Sequence, residues 1–291
     1  MSSVSVGAAM LASFAFLGTA WTRAWGVLLA LVLLGIAVQA LSRSRPDLWP
    51  LSLLADLVLF VVATAAAGAC YRIGLSPEHA GDPAFQVGPG GFNWGGVEWR
   101  VMGANIVVGL TFGVIAVFAF IVWAVAFGVS AAAQGFDARS LQGTAGRAEQ
   151  IQAFLHIMAG PVGIVTALIA IPLVVGLVFL AAKLALFAIT AADTRGFNFG
   201  HAWTLTRGAL AALIWTSIAI FVVQILAGMV AGFFGGLLAA VFRQGLPGGR
   251  LWGAVAGQAV GAALNTPLLS GLQIFVYRTQ RGDGGVVQAF D

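Results

Sequence analysis

Six long apolar runs alternate with short polar intervals along the chain, and none shows the period-2 alternation of a barrel strand. Inside lipid only helices or closed barrels satisfy their own backbone polar groups. The pattern therefore predicts an all-α membrane protein with six transmembrane helices, over residues 24–41, 51–71, 101–128, 161–189, 209–234 and 251–277. A span needs about 20 residues. The third, fourth and fifth apolar runs exceed that, so they are expected to tilt, project beyond the bilayer or break, with Pro172 and the glycine-rich end of the fifth run as the natural places. Aromatic residues mark the edges, as rings at the headgroup level do. Trp21 and Trp25 precede the first span, and Trp49, Trp99, Trp203 and Trp252 precede the second, third, fifth and sixth. Tyr71 and Tyr277 close the second and the last.

Composition removes the alternatives. Of 291 residues 60% are apolar and 8% charged, with 14 Lys+Arg and 10 Asp+Glu. A soluble domain carries roughly a quarter of its residues charged, and a disordered chain needs low hydrophobicity. Neither class fits, and the whole of 1–291 reads as one membrane domain. The single cysteine, Cys70, excludes an internal disulfide and a cysteine-based metal cluster. The net charge of +4 comes without a basic run, so it reads as membrane-flanking charge and not as a nucleic-acid footprint. On the side of the N-terminus stand Arg23, Arg72, Arg100, Lys183, Arg195, Arg207, Arg278 and Arg281; six arginines stand on the other. That bias places both termini in the cytoplasm. The N-terminal stretch lacks the basic region of a signal peptide and is expected to belong to the mature protein.

A threefold pattern runs through the polar intervals. Val4-Ser5-Val6-Gly7, Phe92-Asn93-Trp94-Gly95 and Phe197-Asn198-Phe199-Gly200 share the order apolar, Ser/Asn, apolar, Gly. Ser5, Asn93 and Asn198 carry the side-chain oxygen that accepts an orphan N–H at a helix start, and the preceding apolar residue suits a hydrophobic staple. Three interfacial helices are expected, each leading into a transmembrane hairpin, in repeat units 3–72, 92–192 and 197–278. Units of two spans share one topology, which implies a pseudo-axis along the membrane normal.

At Lys183-Leu-Ala-Leu-Phe, Asp193-Thr-Arg-Gly-Phe and Ala202-Trp203-Thr-Leu-Thr206-Arg207-Gly208 the chain resembles bacterial six-helix integral membrane proteins. These are grouped with the membrane domain of glycerophosphoryl diester phosphodiesterases. The resemblance implies a six-helix bundle over nearly the whole chain and a bacterial inner membrane as its place. The soluble catalytic barrel of some members finds no room here, so hydrolase activity does not carry over.

Candidate chemistry is sparse. Asp56 lies in the second span, where a charge costs about 2.5–3.5 kcal/mol; it is either a functional carboxylate or one hydrogen-bonded near the interface to Ser52 or a neighbouring helix. Lys183, the one lysine, is placed late in the fourth run, where its amine reaches the interface. Asn265 sits beside Thr266 and Pro267, and Pro267 removes the N–H that the Ala263 carbonyl would accept. His156 has no acidic or histidine neighbour at helical spacing to complete a metal site. Gly228, Gly232 and Gly236 in the fifth run and Gly253, Gly257 and Gly261 in the sixth form two GxxxGxxxG faces, suited to an antiparallel hairpin or to dimerisation. No catalytic, cofactor or metal constellation is expected. The sequence points to a non-enzymatic scaffold or accessory subunit that binds a membrane partner or lipid. The alternative is a small-molecule or lipid transporter using Asp56 and the proline-containing helices.

Overall fold

The computed structural model describes residues 4–133, 159–241 and 249–282. Among them every regular element is helical. The long helices are α1 (Val6–Arg23), α2 (Trp25–Ser44), α3 (Trp49–Leu75), α4 (Gly96–Ala133), α5 (Pro161–Leu184), α8 (Leu210–Val241) and α9 (Gly249–Arg281). Two short ones, α6 (Phe187–Thr194) and α7 (Phe199–Leu205), lie between α5 and α8. Helices α2, α3, α4, α5, α8 and α9 supply six stretches long and apolar enough to cross a membrane. The protein is therefore an integral membrane protein.

The chain divides into two compact units, residues 1–105 with 182–291, and residues 106–181. In the first, α9 is the central element and packs against α8, α1, α2 and α3. Its polar character is low enough to span, yet it is the most buried of the six: 44% of its most apolar window lies inside. Helix α1 crosses α9 at Gly271, where a Cβ would stand 2.9 Å from that of Phe16. At the start of α2, Gly26 admits the Gly90 carbonyl oxygen, which a Cβ there would meet at 2.9 Å, and the turn at Pro89–Gly91 seats on this point. The second unit holds the outer lengths of α4 and α5. There the most apolar window of α4 has none of its residues buried, and that of α5 has 6%.

Length is resolved differently from the sequence expectation. α4 runs unbroken for 38 residues, about 57 Å at 1.5 Å per residue, against a hydrocarbon core of about 30 Å; it must tilt or project. Neither proline breaks its helix: α5 continues through Pro172 and α9 through Pro267. The fourth run breaks instead after Leu184, and α6 starts at Phe187. Burial explains that position. Phe187–Asp193 is enclosed on all sides, and Phe187 stacks on Phe199 with centroids 4.0 Å apart.

The helix starts also divide. Ser5 caps α1 by accepting from the Ala8 N–H, and Asn198 caps α7 by accepting from the His201 N–H at 3.0 Å. Asn93 caps nothing, which corrects the expectation for it. α4 begins at Gly96, and the Asn93 amide donates to the Gln86 carbonyl at 3.2 Å. The capping there comes from Glu98, whose carboxylate accepts from the Gly95 N–H at 2.9 Å. A glutamate reaching back from the third helical position is half of a capping box, and no separate interfacial helix forms ahead of α4. The helices that follow the three motif copies thus differ: a separate helix of 18 residues, the 38-residue α4 itself, and a separate helix of seven.

Candidate functional site

Around the loop after α3 four carboxylates of the first unit meet four arginines. Arg72 lies in the last turn of α3 and is 2% exposed. A buried guanidinium stays charged and must have partners. Glu98, itself fully buried, supplies two parallel bonds, from Nε to Oε1 at 2.8 Å and from Nη2 to Oε2 at 2.5 Å. This planar two-point pairing is the strong form of an arginine–carboxylate contact. Gly68, one turn earlier on α3, leaves the space: a Cβ there would fall 2.8 Å from Glu98 Oε1. Arg72 also donates to the carbonyls of Ala84 and Gln86, so the loop is tied down onto the ion pair.

A second knot forms around Asp193, in the last turn of α6. A carboxylate at a helix C-terminus is unfavourable on its own, and three partners offset that. Asp193 Oδ1 lies 2.6 Å from His79 Nε2, and Oδ2 accepts from the Tyr277 hydroxyl and from Arg281 Nη1, each at 2.6 Å. His79 stacks face to face on Phe85 at 3.9 Å. Glu78 pairs with Arg278 at 2.6 Å and more loosely with Arg281 at 3.7 Å, by proximity of charge more than by aligned hydrogen bonds. Asp82 caps the turn at Pro83–Phe85 through the Ala84 N–H and pairs with Arg195. Arg195 itself ends α6 with φ +56°, a left-handed C-cap taken by a non-glycine residue. The Asp82 carboxyl is held below its usual value, chiefly by the Ala84 N–H bond; desolvation opposes this, and the charge and hydrogen bond of Arg195 add to the lowering.

Four carboxylates therefore each hold an arginine: Glu98 with Arg72, Glu78 with Arg278, Asp193 with Arg281, Asp82 with Arg195. Beside them opens a cavity of about 530 Å³ lined by Arg23, Ser76, His79, Asp82, Phe85 and the backbone from Gln86 to Gly88. The braces join α3, α4, α6 and α9. Among the described residues no group of His, Cys, Asp or Glu is placed to hold a metal ion. What this arrangement does is lock the helix ends.

The residues singled out from sequence lie mostly elsewhere. Asp56 is exposed on α3 with no partner among the described residues, and the Ser52 hydroxyl is given to the Trp49 carbonyl instead. Lys183 is buried, its amine 5.2 Å from the Trp203 ring centroid, a cation–π contact. Asn265 accepts from Gln224 Nε2 at 2.9 Å, joining α8 to α9. The Ala263 carbonyl that Pro267 frees is served from another helix: the Trp21 indole N–H donates to it at 3.2 Å. Of the glycine faces, the structure brings Gly228 and Gly257 together, where a Cβ on Gly257 would stand 3.1 Å from the Gly228 oxygen. Gly236 and Gly261 have nothing within 4 Å of a Cβ. Gly232 lies on the same helix, α8, and Gly253 on α9, four residues before Gly257. His156 lies outside the described residues.

Glu78, Glu98, Asp82 and Asp193 were missed because the sequence reading counted only basic residues by side. All four acids fall on the N-terminal side, beside the arginines they pair with, and that coincidence was available as a signal. No protein-family model, curated protein or solved structure matches the chain.

Proposed function

We propose that the protein is a non-enzymatic scaffold or accessory subunit of a membrane, whose first unit is a braced anchor and whose second unit engages a membrane partner or lipid. The observation that carries the reading is the exposed apolar surface of the described residues 106–133 and 159–181. Leu110, Val114, Val117, Phe118, Phe120, Ile121 and Val125 on α4 are all exposed, and so are Ile164, Leu168, Ile171, Val174 and Val175 on α5. Gly109, Gly113 and Gly128 on α4 and Gly176 on α5 have nothing within 4 Å of a Cβ, which leaves room for another helix backbone to come close. Large exposed apolar surfaces are where a membrane protein meets lipid or another chain. The threefold helical-hairpin plan belongs to the same proposal; its support is the paired capping roles of Ser5 and Asn198.

A photo-crosslinking amino acid placed at Phe118 and at Ile171 tests the reading in native membranes, with Leu33 on α2 as the comparison. A discrete protein adduct from the second-unit positions and none from Leu33 is the expected result. Lipid adducts alone at all three positions would remove the partner and leave an ordinary lipid-facing hairpin. A transport reading rests on Asp56, which has no described partner to explain its place in a span. Unchanged solute uptake in Asp56→Asn would leave that reading without its residue.

A further inference from the structure

We propose that the cavity beside the braced loop binds a phosphate group, with Arg23 as its ligand. Four ion pairs stand beside the cavity. Glu78, Asp82, Glu98 and Asp193 carry four negative charges, and Arg278, Arg195, Arg72 and Arg281 carry four positive ones in contact with them. These eight charges cancel within the four pairs. Arg23 stands outside them: it lines the cavity, is exposed, and has no carboxylate partner among the described residues.

The rest of the wall suits an anion of this kind. Asp82 also faces the cavity, yet its charge is matched by Arg195 and its oxygens are engaged by the Ala84 N–H and that guanidinium. His79 has one ring nitrogen committed to Asp193, and its ring is clamped flat on Phe85; the other nitrogen is used by no partner in the network. Ala80, Gly81, Gln86, Val87 and Gly88 of the loop complete the wall. Guanidinium is the side chain whose fork best matches phosphate oxygens, and a volume of 530 Å³ falls in the range of small-molecule sites.

Position decides which phosphates can arrive. The wall residues 76–88 occupy the interval between two membrane-crossing stretches, Trp49–Leu75 and Pro89–Val129. Arg23 lies in the last turn of α1, immediately before the span Trp25–Ser42. The cavity therefore opens at the level of the lipid headgroups, where basic pockets at helix ends take anionic headgroups. A phospholipid headgroup and free phosphate share the chemistry, and the two sources are separable by experiment. The site's lining residues all belong to the first unit, and none of them is among the exposed residues named on α4 and α5.

The test uses the full-length protein purified in a neutral detergent, with tryptophan fluorescence following thermal unfolding. Three probes are titrated separately: inorganic phosphate, dioctanoyl phosphatidylglycerol, and dioctanoylglycerol as the same lipid without phosphate. The variants are Arg23→Gln, Arg23→Lys, and Arg207→Gln as an exposed arginine away from the cavity. A rise in melting temperature with phosphatidylglycerol but not with dioctanoylglycerol identifies a headgroup; a rise with inorganic phosphate identifies the free anion. In either case Arg23→Gln weakens binding roughly tenfold, the effect of one charge-assisted hydrogen bond, Arg23→Lys recovers part of it, and Arg207→Gln binds as the parent does. The proposal is overturned by no rise with either phosphate probe, by an equal rise with dioctanoylglycerol, or by Arg23→Gln binding as tightly as the parent. Because Arg23 braces nothing, the variant's own unfolding transition reports that it is folded.

Discussion

Between Arg72 and Glu98 the chain folds a polar loop over a buried ion pair, and each nearby carboxylate finds its arginine. From Ile106 to Val129, directly after it in sequence, large apolar side chains stand exposed turn after turn. The two regions spend the same residue classes in opposite ways. In the first, charge is taken out of water and must be paired, because an unpaired buried charge is penalised by several kcal/mol. In the second, apolar surface stays outside, because lipid makes no demand that it be buried. Directional contacts hold the charged groups of the first unit, whereas the described residues of the second present apolar side chains outward.

The comparison breaks first at the ion pair. Glu98→Gln leaves the Arg72 charge buried without its counter-ion and is expected to destabilise the detergent-solubilised protein by about 3–5 kcal/mol. The double variant Arg72→Met with Glu98→Leu removes both charges and should lose much less. Chemical denaturation of the three proteins reads the difference, and equal losses would mean the pair is solvated after all.

A smaller effect is expected at the α8–α9 crossing. Gly257→Leu forces a side chain where the Gly228 oxygen would lie 3.1 Å from its Cβ, and overpacking of this sort costs about 1–3 kcal/mol. Gly261→Leu has open space and should leave the melting temperature unchanged. If the two variants behave alike, the glycine stripe serves something other than this crossing.

Trp21→Phe should come next, at about 1 kcal/mol, since it withdraws the donor from the Ala263 carbonyl. The mechanism has a signature. In a Pro267→Ala background the restored amide can serve that carbonyl within α9, and Trp21→Phe should then have little further effect. A double-mutant cycle without such coupling would show that Trp21 acts by its bulk alone.

In the second unit, Phe118→Ala is expected to change the stability of the purified protein by no more than about 0.5 kcal/mol, because the ring is 71% exposed. A large loss in detergent would reveal packing that this surface does not have by itself. The smallest effect concerns acid. The Asp82 carboxyl is held below its usual 3.8 in the folded protein, so its contribution is present at neutral pH and is lost as pH falls below that value. Asp82→Asn should abolish that acid-side component of the unfolding curve and nothing at neutral pH beyond a slight shift, since the pair with Arg195 is largely exposed.

Much of the architecture was legible before any coordinates. Continuous apolar runs of bilayer length lead to spanning helices, and α2, α3, α4, α5, α8 and α9 lie where the runs lie. Two of three predicted caps are real, since Ser5 and Asn198 precede residues free to start a helix. Asn93 failed because Glu98 competes for the same helix start, and only the fold reveals that Glu98 is pinned by Arg72 from α3. The break after Leu184 was equally hidden. Sequence offers Pro172 as the disruptive residue, whereas the helix yields where the next segment is enclosed by α7 and its neighbours.

What the sequence determined by itself is the solvent: 24 charges among 291 residues cannot cover a water-exposed surface, and the lengths of the runs follow the bilayer. What the tertiary structure decided is the use of those charges. Glu78, Glu98 and Asp193 look in sequence like ordinary interfacial acids, and Arg72, Arg278 and Arg281 like ordinary interfacial arginines. Their pairing spans up to 203 positions, 281 − 78, so no local pattern carries it. It arises because α9 returns past the end of α3, and buried ions in a low-dielectric setting have no stable state except with each other. Arg23, which lines the cavity beside these pairs, has no carboxylate partner among the described residues.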